Sequence, residues 1–266
     1  MKAVAHKNLE EYVNAIRAKG RYAFSWEELK QNFKLSDKAL SQSLYRLKKN
    51  KKIAQIRKGF YAIITPEYSN NGMLPPHLFI DNLMKSLNKK YYVGLLSAAA
   101  LHGAAHQQPM EYHVFTEKPA LRTIKNKKLH INFYVKKEWS SKDIVQKKTD
   151  AGYINVSSPE LTALDLLAYA DMGINRIFTI LNELSEEMQV KSLAGTAKGY
   201  PQTTAVQRLG YLLDKEIGNQ KLANILKGTL KDKTIFPVSL LKGSHENGSI
   251  DTDWKIIKNT KVESDL

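Results

Sequence analysis

Apolar positions recur along this chain in two rhythms, and the switches between them mark its parts. Over residues 7–19 they fall at Leu9, Tyr12, Val13 and Ile16, one stripe of a helix that Gly20 ends. Ser25-Trp26-Glu27-Glu28 then reads as a capping box, a hydroxyl at the N-cap with a carboxylate three residues on. The short helix it starts turns Leu29 and Phe33 inward. Lys34-Leu35-Ser36 is a tight turn, and Ser36 or Asp37 caps the next helix. That helix, Lys38 to Lys49, places Leu40, Leu44 and Leu47 on one face. The rhythm then shortens. Ile53–Ile56 and Phe60–Ile64 read as two strands around Arg57-Lys58-Gly59, where glycine supplies the positive φ of a tight hairpin. Helix, turn, helix and a basic hairpin together predict a winged helix-turn-helix.

Thr65 to Pro76 breaks both rhythms with Pro66, Asn70-Asn71-Gly72 and Pro75-Pro76. This predicts a boundary, with one domain over 1–72 and a second over 73–266. In the second, His77–Asn88 is amphipathic and Tyr91–Gly103 reads as one buried helix. Tyr112–Thr116, Ile131–Val135 and Tyr153–Val156 read as strands. Ser158-Pro159-Glu160 is a helix start, with a cap, a proline at the first position and an acid in the first turn. Helices over Asn175–Met188, Thr203–Ile217 and Gln220–Leu230 follow, and Trp254–Ile257 closes as a strand. The fold class expected is α+β: an N-terminal winged helix-turn-helix followed by a larger mixed α/β domain.

Charge changes this picture from a fold to a partner. The 266 residues carry a net +15. Residues 1–70 hold 15 basic and 6 acidic side chains, and the rest hold 26 and 20. A quarter of the chain thus carries more than half of the net charge, the footprint of a phosphate-binding surface. The polar face of the Lys38–Lys49 helix offers Lys38, Ser41, Gln42 and Tyr45 for base edges. Arg46, Lys49, Arg57 and Lys58, with Lys34 in the preceding turn, suit phosphates, which position a protein without reading sequence. The expected partner is double-stranded DNA.

Other classes find little support. No run approaches the ~18 apolar residues of a membrane span, and Met1–Lys7 lacks the apolar core of a signal peptide. The absence of cysteine excludes disulfides and thiolate zinc sites. A cytoplasmic protein is expected, without cofactor. His102, His106 and His113 beside Glu111 invite a metal, but Gly103 interrupts the helix that would align the first two. Asp143 with Asp165, or Glu111 with Glu117, would serve as acid/base carboxylates only if the fold united them. Glu117-Lys118 lacks the spacing of a nuclease core, and no phosphate loop, dinucleotide fingerprint or nucleophile elbow is present. Ser97 sits in an apolar helix. Gly210, in mid-helix, points to close packing rather than to chemistry.

Three further blocks carry a resemblance. Tyr91-Tyr92-Val93-Gly94-Leu95-Leu96-Ser97-Ala98-Ala99-Ala100-Leu101-His102-Gly103 is one. Val156-Ser157-Ser158-Pro159-Glu160-Leu161-Thr162-Ala163-Leu164-Asp165-Leu166 and Gln207-Arg208-Leu209-Gly210-Tyr211-Leu212-Leu213 are the others. In this order, after a winged-helix start, they resemble the AbiEi antitoxins of type IV toxin–antitoxin systems, from the first helix to about Ile257. The resemblance implies repression of the chain's own operon through inverted repeats in its promoter. It also implies an antitoxic C-terminal domain, a nucleotidyltransferase-like toxin that is not stably bound, and a role in abortive infection by phage. It carries no motif for antitoxicity. His102, Asp165 and Arg208 lie in the matching blocks and are the candidates, with a purely structural role as the alternative. The rival functions are a ligand-responsive repressor without antitoxin role, and an enzyme, nuclease or kinase-like, that modifies the toxin or its target.

Overall fold

The structure is a computed structural model and describes residues 8–105, 109–243 and 248–263. Its first part has the element order α1 (Leu9–Ala18), β1 (Ala23–Ser25), α2 (Trp26–Asn32), α3 (Asp37–Lys49), β2 (Ile53–Arg57) and β3 (Phe60–Ile63). The caps form where the sequence puts them. Asn8 accepts from the Glu11 amide, Ser25 and Glu28 close a reciprocal capping box, and Ser36 accepts from Ala39. Strand β1, absent from the sequence reading, pairs antiparallel with β3, giving a three-stranded sheet of order β1-β3-β2. Three residues are too few to show an alternation. Leu9, Tyr12, Val13 and Ile16 of α1 pack with Phe24, Leu29, Phe33, Leu40, Leu44, Leu47, Ile53, Tyr61 and Ile63 in one apolar cluster. Tyr12 meets Phe24 and Phe33 edge-on, at 6.0 and 5.7 Å between centroids, and Phe24 stacks on Tyr61.

After a 3₁₀ turn, Pro66–Tyr68, the expected helix over 77–88 divides into a 3₁₀ turn, Pro76–Leu78, and α4 (Ile80–Ser86). The expected helix over 91–103 is corrected as well. Tyr91–Val93 is strand β4, and only Leu95–Leu101 is helix, α5. Two tyrosines and a valine favour a pleated strand. Gly94 is extended, and Leu95, at φ 52°, turns the chain into the helix. Next come β5 (Tyr112–Thr116), β6 (Ile124–Asn126), β7 (Leu129–Val135), β8 (Ile144–Thr149) and β9 (Gly152–Ser157). They form a six-stranded mixed sheet of order β6-β7-β5-β4-β9-β8, with β5 parallel to β7 and β6 antiparallel to it. Helices follow: α6 (Pro159–Tyr169), α7 (Ile174–Glu187), α8 (Val190–Gly199), α9 (Thr203–Tyr211), a π-helical turn Leu212–Ile217, and α10 (Gln220–Leu230). Strands β10 (Val238–Ser239), β11 (Ile250–Asp251) and β12 (Ile256–Ile257) make a small third sheet. The fold is mixed α+β.

The chain divides into two compact units. One comprises 1–92, 110–137 and 146–155, and the other 93–109, 138–145 and 156–266.

Candidate nucleic-acid interface and antitoxin-domain residues

Helix α3 has one buried and one open face. Leu40, Leu44 and Leu47 are 0–5% exposed, while Lys38, Ser41, Gln42, Tyr45, Arg46 and Lys49 all lie at the surface. Tyr45 is 64% exposed, an aromatic ring with no place in the apolar cluster. Lys34, in the turn before α3, is exposed too. The hairpin tip carries an exposed Lys58 and a half-buried Arg57, with Gly59 at φ 77°. It is anchored by the Trp26 amide, which donates to the Gly59 carbonyl at 2.8 Å. Lys48 donates to Gln55 at 3.1 Å, tying the end of α3 to β2. Lys52 pairs with Glu10, and Arg21 with Glu28, so these two cations are engaged within the module.

The basic excess extends beyond this module. The first compact unit holds 27 Lys and Arg against 10 Asp and Glu, a net +17, whereas the second holds 14 against 16, a net −2. The surplus includes exposed Arg122, Lys125, Lys127 and Lys128 around the β6–β7 hairpin. The sequence reading missed that hairpin, although the run Lys125-Asn126-Lys127-Lys128 was visible as a polar turn.

The three blocks from the sequence have concrete structural roles. His102 is the C-cap of α5, and its Nε2 lies 2.7 Å from the Ser157 carbonyl at the end of β9. The Ser157 hydroxyl lies 2.6 Å from that of Thr162 and donates to the Val93 carbonyl at 3.3 Å. Asp165, fully buried on α6, accepts from the Tyr200 hydroxyl at 2.7 Å. Burial, reinforced by the Asp165 charge, raises that phenol well above its ordinary range. Glu160 accepts from the Gln189 amide at the start of α8. In the third block Gln207 donates to the carbonyls of Phe236 and Trp254, both at 3.0 Å, and Arg208 Nε donates to that of Ser239 at 2.8 Å. Asp214 accepts from the Trp254 indole at 2.9 Å. A Cβ at Gly210 would overlap the Trp254 ring. This block therefore clamps the C-terminal segment onto α9. His102, Asp165 and Arg208 are each hydrogen-bonded within the second unit.

The other titratable candidates are also engaged. Glu111 lies 3.0 Å from His130 Nδ1 and accepts from Asn132 at 2.6 Å. His113 is buried on β5, with Nδ1 3.2 Å from the Tyr134 hydroxyl. Glu117 accepts from the Lys90 amide and Asp143 from the Thr196 hydroxyl. His106 lies outside the described residues. Among those described, no group of three or more His, Cys, Asp or Glu side chains is arranged to hold a metal ion. No helix among them is long and apolar enough to cross a membrane.

No curated protein matches the chain. Among solved structures, the crystal structure of the RV2827C protein from Mycobacterium tuberculosis superposes with a TM-score of 0.66. That match is 17% identical in sequence and covers 96% of this chain and 94% of the other, so the likeness is one of fold. Residues 92–215 match the family model described as the AbiEi antitoxin C-terminal domain. They run from β4 to the π-helical turn and include His102, Asp165 and Arg208. These residues are accordingly similar to the C-terminal domain of the AbiEi antitoxins.

Proposed function

We propose that this chain is the antitoxin of a type IV toxin–antitoxin system and represses its own promoter through an N-terminal winged helix-turn-helix. One observation carries the reading. A module with order α1-β1-α2-α3-β2-β3, whose third helix opens a basic face, precedes a segment that matches the AbiEi antitoxin C-terminal domain in one chain. Residues 1–72 are the DNA-binding domain in this reading, and the apolar cluster that joins α1, α2, α3 and the hairpin supports it. Lys38, Ser41, Gln42 and Tyr45 enter the major groove. Lys34, Arg46, Lys49, Arg57 and Lys58 hold phosphates, the wing tip contributing the last two. Inverted repeats in the promoter are the operator. The partner is a nucleotidyltransferase-like toxin, countered without a stable complex and without enzymatic turnover by this chain. The site of action is the cytoplasm, in abortive infection by phage.

The test uses the full chain and a duplex from upstream of its gene. Replacing Arg46 and Lys49 with Ala weakens binding to all sequences and lowers the salt slope by about one for each phosphate no longer held. Gln42→Ala relaxes preference at one base pair, by about 1–3 kcal/mol. An affinity indifferent to salt and to these substitutions overturns the DNA assignment. Co-expression with the neighbouring toxin tests the second half. Growth rescue should survive the Arg46 and Lys49 substitutions, because the antitoxic domain lies elsewhere. Substitutions at His102, Asp165 and Arg208, in protein verified as folded, then show whether these residues serve rescue or structure.

A second reading, a ligand-responsive repressor, is favoured by a cavity of about 490 Å³ in the first unit. Arg17, Tyr22, Thr65, Glu67, Tyr68 and Asp150 line it. A small molecule that raises the melting temperature and releases DNA would support that reading.

A further inference from the structure

The cavity in the first unit is walled by segments distant in sequence. Arg17 comes from the last turn of α1 and Tyr22 from the loop to β1. Thr65, Glu67 and Tyr68 come from the turn that leaves the wing, and Asp150 from the β8–β9 turn. Backbone contacts fix these walls. The Ile63 amide donates to the Tyr22 carbonyl at 2.8 Å. The Thr149 hydroxyl donates to the Gly152 carbonyl at 2.9 Å, closing the turn that carries Asp150. That turn packs on the end of α1, since a Cβ at Gly20 would lie 3.5 Å from the Asp150 carbonyl oxygen. The cavity volume of about 490 Å³ falls within the roughly 300–1,000 Å³ of small-molecule sites.

The charge of these walls runs against that of the unit. Arg17 is one cation, and Glu67 and Asp150 are two anions, a net −1 within a unit of net +17. A phosphate-binding surface does not call for such a site. Among the described residues none of the three forms a salt bridge, so the cavity does not neutralise its own charges. The Thr65 hydroxyl, helped by the Glu67 amide and by Arg17, holds the Glu67 carboxyl below its ordinary range and keeps it ionised. The complementary ligand carries one carboxylate and two cationic groups. The planar fork of Arg17 suits a carboxylate at two points. The half-buried rings of Tyr22 and Tyr68 suit an alkyl stem with a cationic head. We propose that this cavity binds a basic amino acid, its carboxylate on Arg17, its cationic groups on Glu67 and Asp150, and its stem against the two tyrosines. An effect on DNA binding rests on the ligand-responsive reading; occupancy of the cavity does not.

L-arginine and L-lysine are the probes, titrated calorimetrically into the full chain without DNA at constant ionic strength. At least one should bind saturably at a single site. L-citrulline, which loses the side-chain charge of arginine, and agmatine, which lacks its carboxylate, should each bind about tenfold more weakly than arginine, the loss of one charge-assisted partner. Arg17→Gln and Asp150→Asn, both at exposed positions, should each weaken arginine binding by a similar factor. Arg17→Gln should also abolish the discrimination between arginine and agmatine, and Lys125→Gln, on the β6–β7 hairpin, should change nothing. Unsaturable heats with both probes, or saturable binding that Arg17→Gln and Asp150→Asn leave unaltered, overturns the site. Promoter affinity with and without saturating probe tests the ligand-responsive reading separately: a probe that binds and leaves that affinity unchanged keeps the site and removes the reading.

Discussion

Gly210 announces a close contact without naming the partner. A glycine in mid-helix costs about 0.8–1 kcal/mol relative to alanine, so it announces a close approach. What approaches is the ring of Trp254, an indole 1% exposed and tethered to Asp214. Gly210→Ala should therefore destabilise rather than stabilise, by about 1–3 kcal/mol or more from overpacking. Urea denaturation followed by tryptophan fluorescence would measure it. Buried His113 makes a different prediction. Burial first, and then His130, lowers its pKa below the ordinary 6.5, against the opposing pull of Glu111. Above that value folded and unfolded imidazoles are both neutral and nothing is lost. As pH falls below it, the unfolded chain takes up the proton first and stability drops until the folded pKa is passed. Stability should thus decline as pH falls through the ordinary histidine range toward the lower folded-state pKa, and His113→Gln should flatten part of that decline. His77, also held low by burial against the pull of Asp150, contributes with the same sign.

Elements differ in how much their ends matter. Helix α2 spans only Trp26–Asn32 and buries Leu29, so its capping box supplies a large share of its stability. Ser25→Ala should cost about 1 kcal/mol. Because the Trp26 amide also holds the Gly59 carbonyl, hydrogen exchange should quicken at the hairpin tip as well as in α2. Helix α8 teaches the reverse. Val190–Gly199 contains two glycines and few apolar residues, and its sequence predicts no helix. It forms because Glu160 accepts from the Gln189 amide and Thr196 is bonded to Asp143, partners distant in sequence. Removing one, by Glu160→Ala, should loosen α8 ahead of global unfolding, seen as faster exchange of its amides.

For the molecule as a whole, charge is the clearest asymmetry: +17 in one compact unit and −2 in the other. Under the proposed reading, DNA affinity should fall linearly with salt on logarithmic axes. Neutralising Lys125, Lys127 and Lys128 would show whether the β6–β7 hairpin adds to that slope. An unchanged slope would confine the phosphate-binding surface to the helix-turn-helix and wing.

The sequence by itself determined the elements whose stabilising contacts are local. The stripes of α1 and α3, the capping box of α2, the start of α6 and the glycine turn at the hairpin tip all rest on neighbours within a turn or two. Three family-like blocks were legible for the same reason, as runs of residues. Tertiary structure alone decided what those blocks do, because their partners lie far along the chain: Ser157 with Val93, Asp165 with Tyr200, Arg208 with Ser239. It decided that Tyr91–Val93 is a strand, since its pairing with β9 at Val156 lies more than sixty residues away.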